Sequence, residues 1–158
     1  LLGVSVPVIG SGLEHARANA AMRATAGFLM AARDAAMTQR RTIEIAFDGE
    51  NRMTATRVEG ETRTTVTSLQ LEYGMRFLLQ PGVPDTPEGF GNSRAVSFGG
   101  TPRGWFLADG SLTDDEGIPV SGTVFLSGPH KPATARAVTV LGATGRVQPY
   151  RFDGSQWR

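Results

Sequence analysis

Across residues 13–39 the apolar positions recur at helical spacing. Ala21, Phe28, Leu29, Ala32 and Ala36 fall on one face, and Arg23, Asp34 and Arg41 fall on the opposite one. The segment holds no proline and is dominated by alanine, the best helix former. It predicts an amphipathic helix with one stripe to bury. Small alanines on that stripe would let a sheet or a second helix approach closely. Ser11 is placed to cap the helix start, with Glu14 three residues on as its capping-box partner. Pro7 and Gly10 are expected to kink or interrupt any helix continuing from the apolar run at residues 1–9.

At Arg41 the period changes from helical to alternating. Ile43, Ile45 and Phe47 alternate with other residues and predict a half-buried strand. Asp48, Gly49, Glu50 and Asn51 form a hairpin-type turn signal. Two further strands follow at residues 52–58 and 62–69, rich in threonine and valine, with Gly60 in the turn between them. Leu71, Tyr73, Met75 and Phe77 continue the alternation and predict a fourth strand. Residues 80–93 carry three prolines and three glycines and predict a long exposed loop, a variable contact surface on a rigid scaffold. Short strands resume at 95–98, 104–107, 122–126, 137–141 and 146–152, each bounded by Gly, Pro or Asp. Pro149 inside the last predicts an edge position or a bulge. The expected architecture is α+β: one helix over about 13–40, then antiparallel short strands over about 42–158.

Composition fits a single globular domain. The chain has 158 residues, 40% hydrophobic and 20% charged, enough to bury a core. Twenty glycines, most of them after Gly49, agree with many turns between strands. There is no cysteine, which excludes disulfides and thiolate metal sites. The run at 1–9 is far shorter than the roughly 20 apolar residues that a spanning helix needs.

Catalytic chemistry has little to build on. The histidines are His15 and His130, and no metalloprotease, nucleophile-elbow or phosphate-loop motif is present. No enzyme and no cofactor is therefore expected. Asp109, Asp114, Asp115 and Glu116 could offer oxygens to calcium. Their spacing is not that of an EF-hand, and a solvated turn accounts for them. The late aromatics Trp105, Phe106, Phe125, Tyr150, Phe152 and Trp157 alternate in Gly-rich strands and read as core before ligand platform.

Net charge is +1, so no global field attracts a polyanion. Locally, Lys131, Arg136, Arg146, Arg151 and Arg158 gather in the last thirty or so residues against Asp153 alone. They are the candidate contacts for DNA or for a protein partner. Arg146 and Arg151 differ by five positions and would face opposite sides of a straight strand, unless a bulge at Pro149 realigns them.

Three stretches carry a family resemblance: RATAGFLMAARDAAMTQRRTIEIAF at 23–47, GWFLADGS at 104–111 and RAVTVLGATGRVQPYRFDG at 136–154. In this order they resemble the soluble region of GspH-type minor pseudopilins of type II secretion and the related FimT-type minor pilins. The resemblance implies a pilin-like fold, with one long N-terminal helix packed on antiparallel sheets. It implies that residues 1–12 are the end of a hydrophobic pilin helix and that 13–158 form the globular domain. The whole protein would be cleaved by a prepilin peptidase and would sit in the bacterial inner membrane with its domain in the periplasm. Its helix would then pack with other pilin or pseudopilin subunits, and the domain would contact minor subunits or secreted cargo. In one branch of the family a closing Gly-Arg-x-Arg turn is associated with DNA uptake. Here the turn is Gly145-Arg146-Val147-Gln148, so glutamine replaces the second arginine and counts against DNA as a partner.

Overall fold

A computed structural model describes residues 7–158, with side chains from residue 10 onward. The first element is α1 (Pro7–Gln39). Nine strands follow among the described residues: β1 (Thr42–Asp48), β2 (Arg52–Glu59), β3 (Thr62–Gln70), β4 (Val96–Phe98), β5 (Arg103–Phe106), β6 (Leu112–Thr113), β7 (Gly122–Gly128), β8 (Lys131–Leu141) and β9 (Arg146–Arg151).

The helix starts earlier than its apolar stripe. Gly10 lies within it and does not interrupt it, and Ser11 is a helical residue rather than the cap. A glycine weakens a helix by about 1 kcal/mol against alanine without breaking it. Glu14 is engaged by Lys131 at 2.6 Å instead of closing a capping box. Most of the opening apolar run, residues 1–6, lies outside the described residues, and with it the first half of the helix remnant expected at 1–12. No described helix is long and apolar enough to cross a membrane. At the other end, Arg40 adopts φ 52° and the Arg41 amide donates to the Ala36 carbonyl at 3.2 Å. That is a Schellman-type stop with arginine in the position glycine usually takes.

The buried stripe matches the periodicity. Ala21, Phe28, Leu29, Ala32 and Ala36 are buried, joined by Ala18, Thr25 and Ala26. Ahead of Ala18, Gly10, Ser11, Leu13, His15 and Ala16 are exposed, and the body is met there through polar contacts of Glu14, His15 and Arg17 rather than an apolar stripe. The stripe lies chiefly across β8 and β9.

The strands form two antiparallel sheets, ordered β3-β2-β1-β5-β6 and β4-β7-β8-β9. Ile43, Ile45, Met53, Val124, Leu126, Val138 and Val140 join the helix stripe in one core. The alternate residues of the second sheet face a separate cluster of Phe125, Ala135, Ala137, Val83 and Trp157. β9 is an edge strand, as Pro149 requires, and it pairs with β8 without a register shift.

Two expectations change. Leu71, Met75 and Phe77 are buried, but no fourth strand forms there. Tyr73 (φ 56°) and Gly74 (φ 75°) turn the chain, leaving Tyr73 exposed beneath the Arg17 guanidinium. The alternation therefore reflects a turn that tucks three apolar residues inward. The segment at 80–93 is irregular, yet it is not simply exposed. Gln80, Val83 and Thr86 are buried. The Gln80 amide donates to Ser127 Oγ and the Gly128 carbonyl, and Trp157 Nε1 donates to the Pro84 carbonyl at 2.9 Å. This loop is the second cover of the β7–β8 sheet.

Candidate functional site

The five basic candidates do not form one stripe. Lys131 opens β8 and pairs with Glu14. Arg158 Nε lies 2.8 Å from Asp153 Oδ2. Arg146 and Arg151 stand at opposite ends of β9, opposite Leu141 and Arg136 respectively. With the register unbroken, their five-residue spacing places them on opposite faces, and the bulge that would have realigned them is absent. Neither makes an ion pair among the described residues, and both are exposed.

Arg136 departs most from its sequence expectation. It is fully buried and withheld from any surface contact. Its Nε donates to Asn19 Oδ1 at 2.8 Å, and its Nη1 donates to the Ala133 and Ala135 carbonyls at 3.3 and 2.8 Å. Its Nη2 lies 3.4 Å from His15 Nδ1. Every one of these partners is neutral or can act as a neutral acceptor. Burial, with the Arg151 charge beside it, pushes the Arg136 pKa down to about 10.

Beside this arginine pair opens a concavity of about 730 Å³, lined by His15, Pro132, Ala133, Arg151, Phe152 and Asp153 among others. It sits where the first turns of α1 meet the far end of the second sheet. Asp153 is already committed. Its Oδ1 accepts from the Ser155 and Gln156 amides and from Ser155 Oγ, each at 2.9 Å. Those bonds, with a smaller share from Arg158, hold its carboxyl down to about 2.

The acidic turn is internally bonded. Asp109 Oδ1 accepts from Ser111 Oγ at 2.6 Å and from the Ser111 amide at 2.9 Å, which lowers its pKa. Asp114 Oδ1 accepts from the Glu116 and Ile118 amides. Among the described residues no three acidic or histidine groups converge to hold a metal ion. Sequence reading missed two anchoring residues. Arg33 Nε donates to the Gly110 and Thr144 carbonyls at 3.2 and 3.1 Å, tying the helix to two turns. Glu88 accepts from Tyr150 Oη at 2.8 Å and Thr139 Oγ1 at 3.1 Å, tying the long loop to the sheet.

No protein-family model and no curated sequence matches the chain. Solved structures do. The type IV minor pilin FimU of Pseudomonas aeruginosa is similar at a TM-score of 0.57 and 17% identity, over 89% of this chain and 96% of that one. A second crystal form of FimU gives 0.57 and 16%, over 96% and 97%. The minor pseudopilin EpsH of the type 2 secretion system of Vibrio cholerae is similar at 0.56 and 12%, over 84% and 95%. At these identities the likeness establishes the fold: a helix packed on antiparallel sheets, as in minor pilins and pseudopilins.

Proposed function

We propose that this chain is the globular region of a minor pilin or pseudopilin, a structural subunit of a bacterial envelope filament with no catalytic task. The observation that carries the reading is the helix. α1 has 33 residues, about 50 Å at 1.5 Å per residue, and its buried stripe begins only at Ala18. A helix embedded in a β domain over its last two-thirds, with its first turns extending ahead of the buried stripe, presents a rigid stem for packing against other helices. The whole-chain similarity to FimU and EpsH supports the same reading. The partners are other pilin or pseudopilin subunits, reached through that stem. The protein is held in the inner membrane before assembly, with this domain in the periplasm, where the domain also meets secreted cargo. Fractionation of cells making the full-length gene product tests this: it should sediment with the inner membrane and shift in size on loss of the prepilin peptidase. A full-length product in the soluble fraction would overturn it.

The DNA-contacting alternative draws on Arg146 and Arg151, the basic candidates left exposed and unpaired. Their opposite faces and Gln148 weigh against it. A gel-shift titration at two salt concentrations, with Arg146→Ala and Arg151→Ala, decides it.

A further inference from the structure

We propose that the concavity beside Arg151 is a carboxylate-accepting pocket that takes an acidic side chain from another protein chain. For the source of the carboxylate this rests on the reading of the chain as an assembling subunit; the pocket itself does not depend on it.

The argument begins with charge. Arg136 and Arg151 are cross-strand partners in one register position. Like charges placed directly opposite each other destabilise a sheet. Arg136 is fully buried, and its hydrogen-bond partners supply acceptors without supplying a negative charge. A buried cation ordinarily has a counterion. Among the described residues no carboxylate forms an ion pair with either arginine. The nearby acids are committed elsewhere: Glu14 to Lys131, and Asp153 to its own turn and Arg158. Arg151 is left facing the opening, with the buried Arg136 charge directly behind it.

His15 completes the donor set. Its Nδ1 lies 3.4 Å from Arg136 Nη2, and a guanidinium can only donate, so Nε2 is the ring nitrogen left for a ligand. The pocket therefore offers the Nε2 edge of His15 and the Arg151 guanidinium to an incoming oxyanion. Arg136 contributes its field from behind. A planar guanidinium matches a carboxylate in a bidentate geometry.

The walls select among anions. Pro81, Val83, Pro132 and Phe152 offer apolar surface to the aliphatic stem of a Glu or Asp side chain. Asp153 also lines the pocket, with its carboxylate already engaged by the Ser155 and Gln156 amides and by Arg158. The position also suits a subunit contact, because His15 belongs to the first turns of α1 while Arg151 belongs to the globular body.

The test uses the 158-residue chain with side-chain-resolved NMR at constant pH and ionic strength. The probe is N-acetyl-glutamic acid α-amide, which carries a single carboxylate; the matching glutamine compound, inorganic phosphate and a short DNA duplex are the comparators. The glutamate probe should give saturable shifts at the His15 ring and the Arg151 Nε–H. The neutral glutamine probe should give none. Arg151→Gln should weaken binding by about tenfold or more, the scale of one charge-assisted hydrogen bond. Arg146→Gln, on the opposite face, should leave it unchanged. Circular dichroism of both variants confirms that the fold is retained. Absence of a saturable shift, an equal response to the glutamine compound, equal weakening by Arg146→Gln, or tighter occupancy by phosphate or the duplex overturns the proposal. Membrane fractionation of the full-length protein reads the filament assignment separately, so the two can fail independently.

Discussion

The two sheets share a strand vocabulary of Thr, Val and Gly and yet occupy opposite environments. In the sheet β4-β7-β8-β9 every residue of β7 is buried, because α1 covers one face and the loop at 80–93 with Trp157 covers the other. In the sheet β3-β2-β1-β5-β6 burial fades outward, and eight of the nine residues of β3 are exposed. The second sheet therefore holds the molecule together, while the outer hairpin of the first rests on its own ladder. What distinguishes them is the segment that arrives to cover them, not strand propensity.

The sharpest way to break this comparison is to remove the side chain at the centre of the doubly covered sheet. Phe125 is 2% exposed and packs on Trp157 with ring centroids 6.0 Å apart. Phe125→Ala should cost about 3–5 kcal/mol of stability, read from urea denaturation midpoints. A loss below about 1 kcal/mol, the range of surface substitutions, would mean that the long loop does not seal this face.

That loop also marks where sequence reading stops. The helix stripe, β1 to β3 and the edge position of β9 follow from periodicity and from Pro149, because those signals are local. The cover over Phe125 does not. Gln80 and Glu88 are polar residues in a Pro- and Gly-rich run, and their roles exist only once Ser127 and Tyr150 stand opposite them. Arg136 is the extreme case. An arginine between alanines reads as surface, and its burial depends on Asn19, a residue 117 positions away. The two-residue strand β6 is too short to carry a period at all. The five basic residues lie apart for a related reason: charge along the chain says nothing of which groups find carboxylates in space.

A second test falls on the inner part of the first sheet. Glu44 on β1 is 3% exposed, pairs with Arg103 at 3.2 Å and also forms an ion pair with Arg63 of β3. It forms a polar clamp that reaches from β5 to the exposed hairpin. Glu44→Gln keeps the shape and removes the charge, and should cost about 1–3 kcal/mol by the same denaturation measurement. An unchanged midpoint would show that the outer strands are held by the backbone ladder alone.

A third test uses pH on the turn that closes the second sheet. The amides of Gln156 and Ser155 hold the Asp153 carboxyl at about 2, below its ordinary 3.8. A folded-state value below the unfolded one contributes stability that is fully present above the unfolded value. That contribution is lost as pH falls through the folded value. The melting temperature should therefore decline through the window from 3.8 toward about 2, and Asp153→Asn should flatten that part of the curve. Identical acid limbs for the two proteins would remove the turn from the stabilising set.

The smallest effect belongs to β3, and it makes the comparison quantitative. Val66 is the most apolar residue of that strand's outer half and is 40% exposed. It falls where the β2–β3 register shifts: Ala55 pairs with Thr67 and Thr56 with Thr65, leaving Val66 without a partner. A bulged residue outside the ladder, with no covering segment, has little transfer free energy to lose. Val66→Ala should change stability by no more than about 0.5 kcal/mol, the ordinary range for surface positions. Val66→Thr should match it. A loss several times larger would mean that a second surface covers β3 in solution, and sedimentation of the wild-type chain would then have to show a species larger than the monomer.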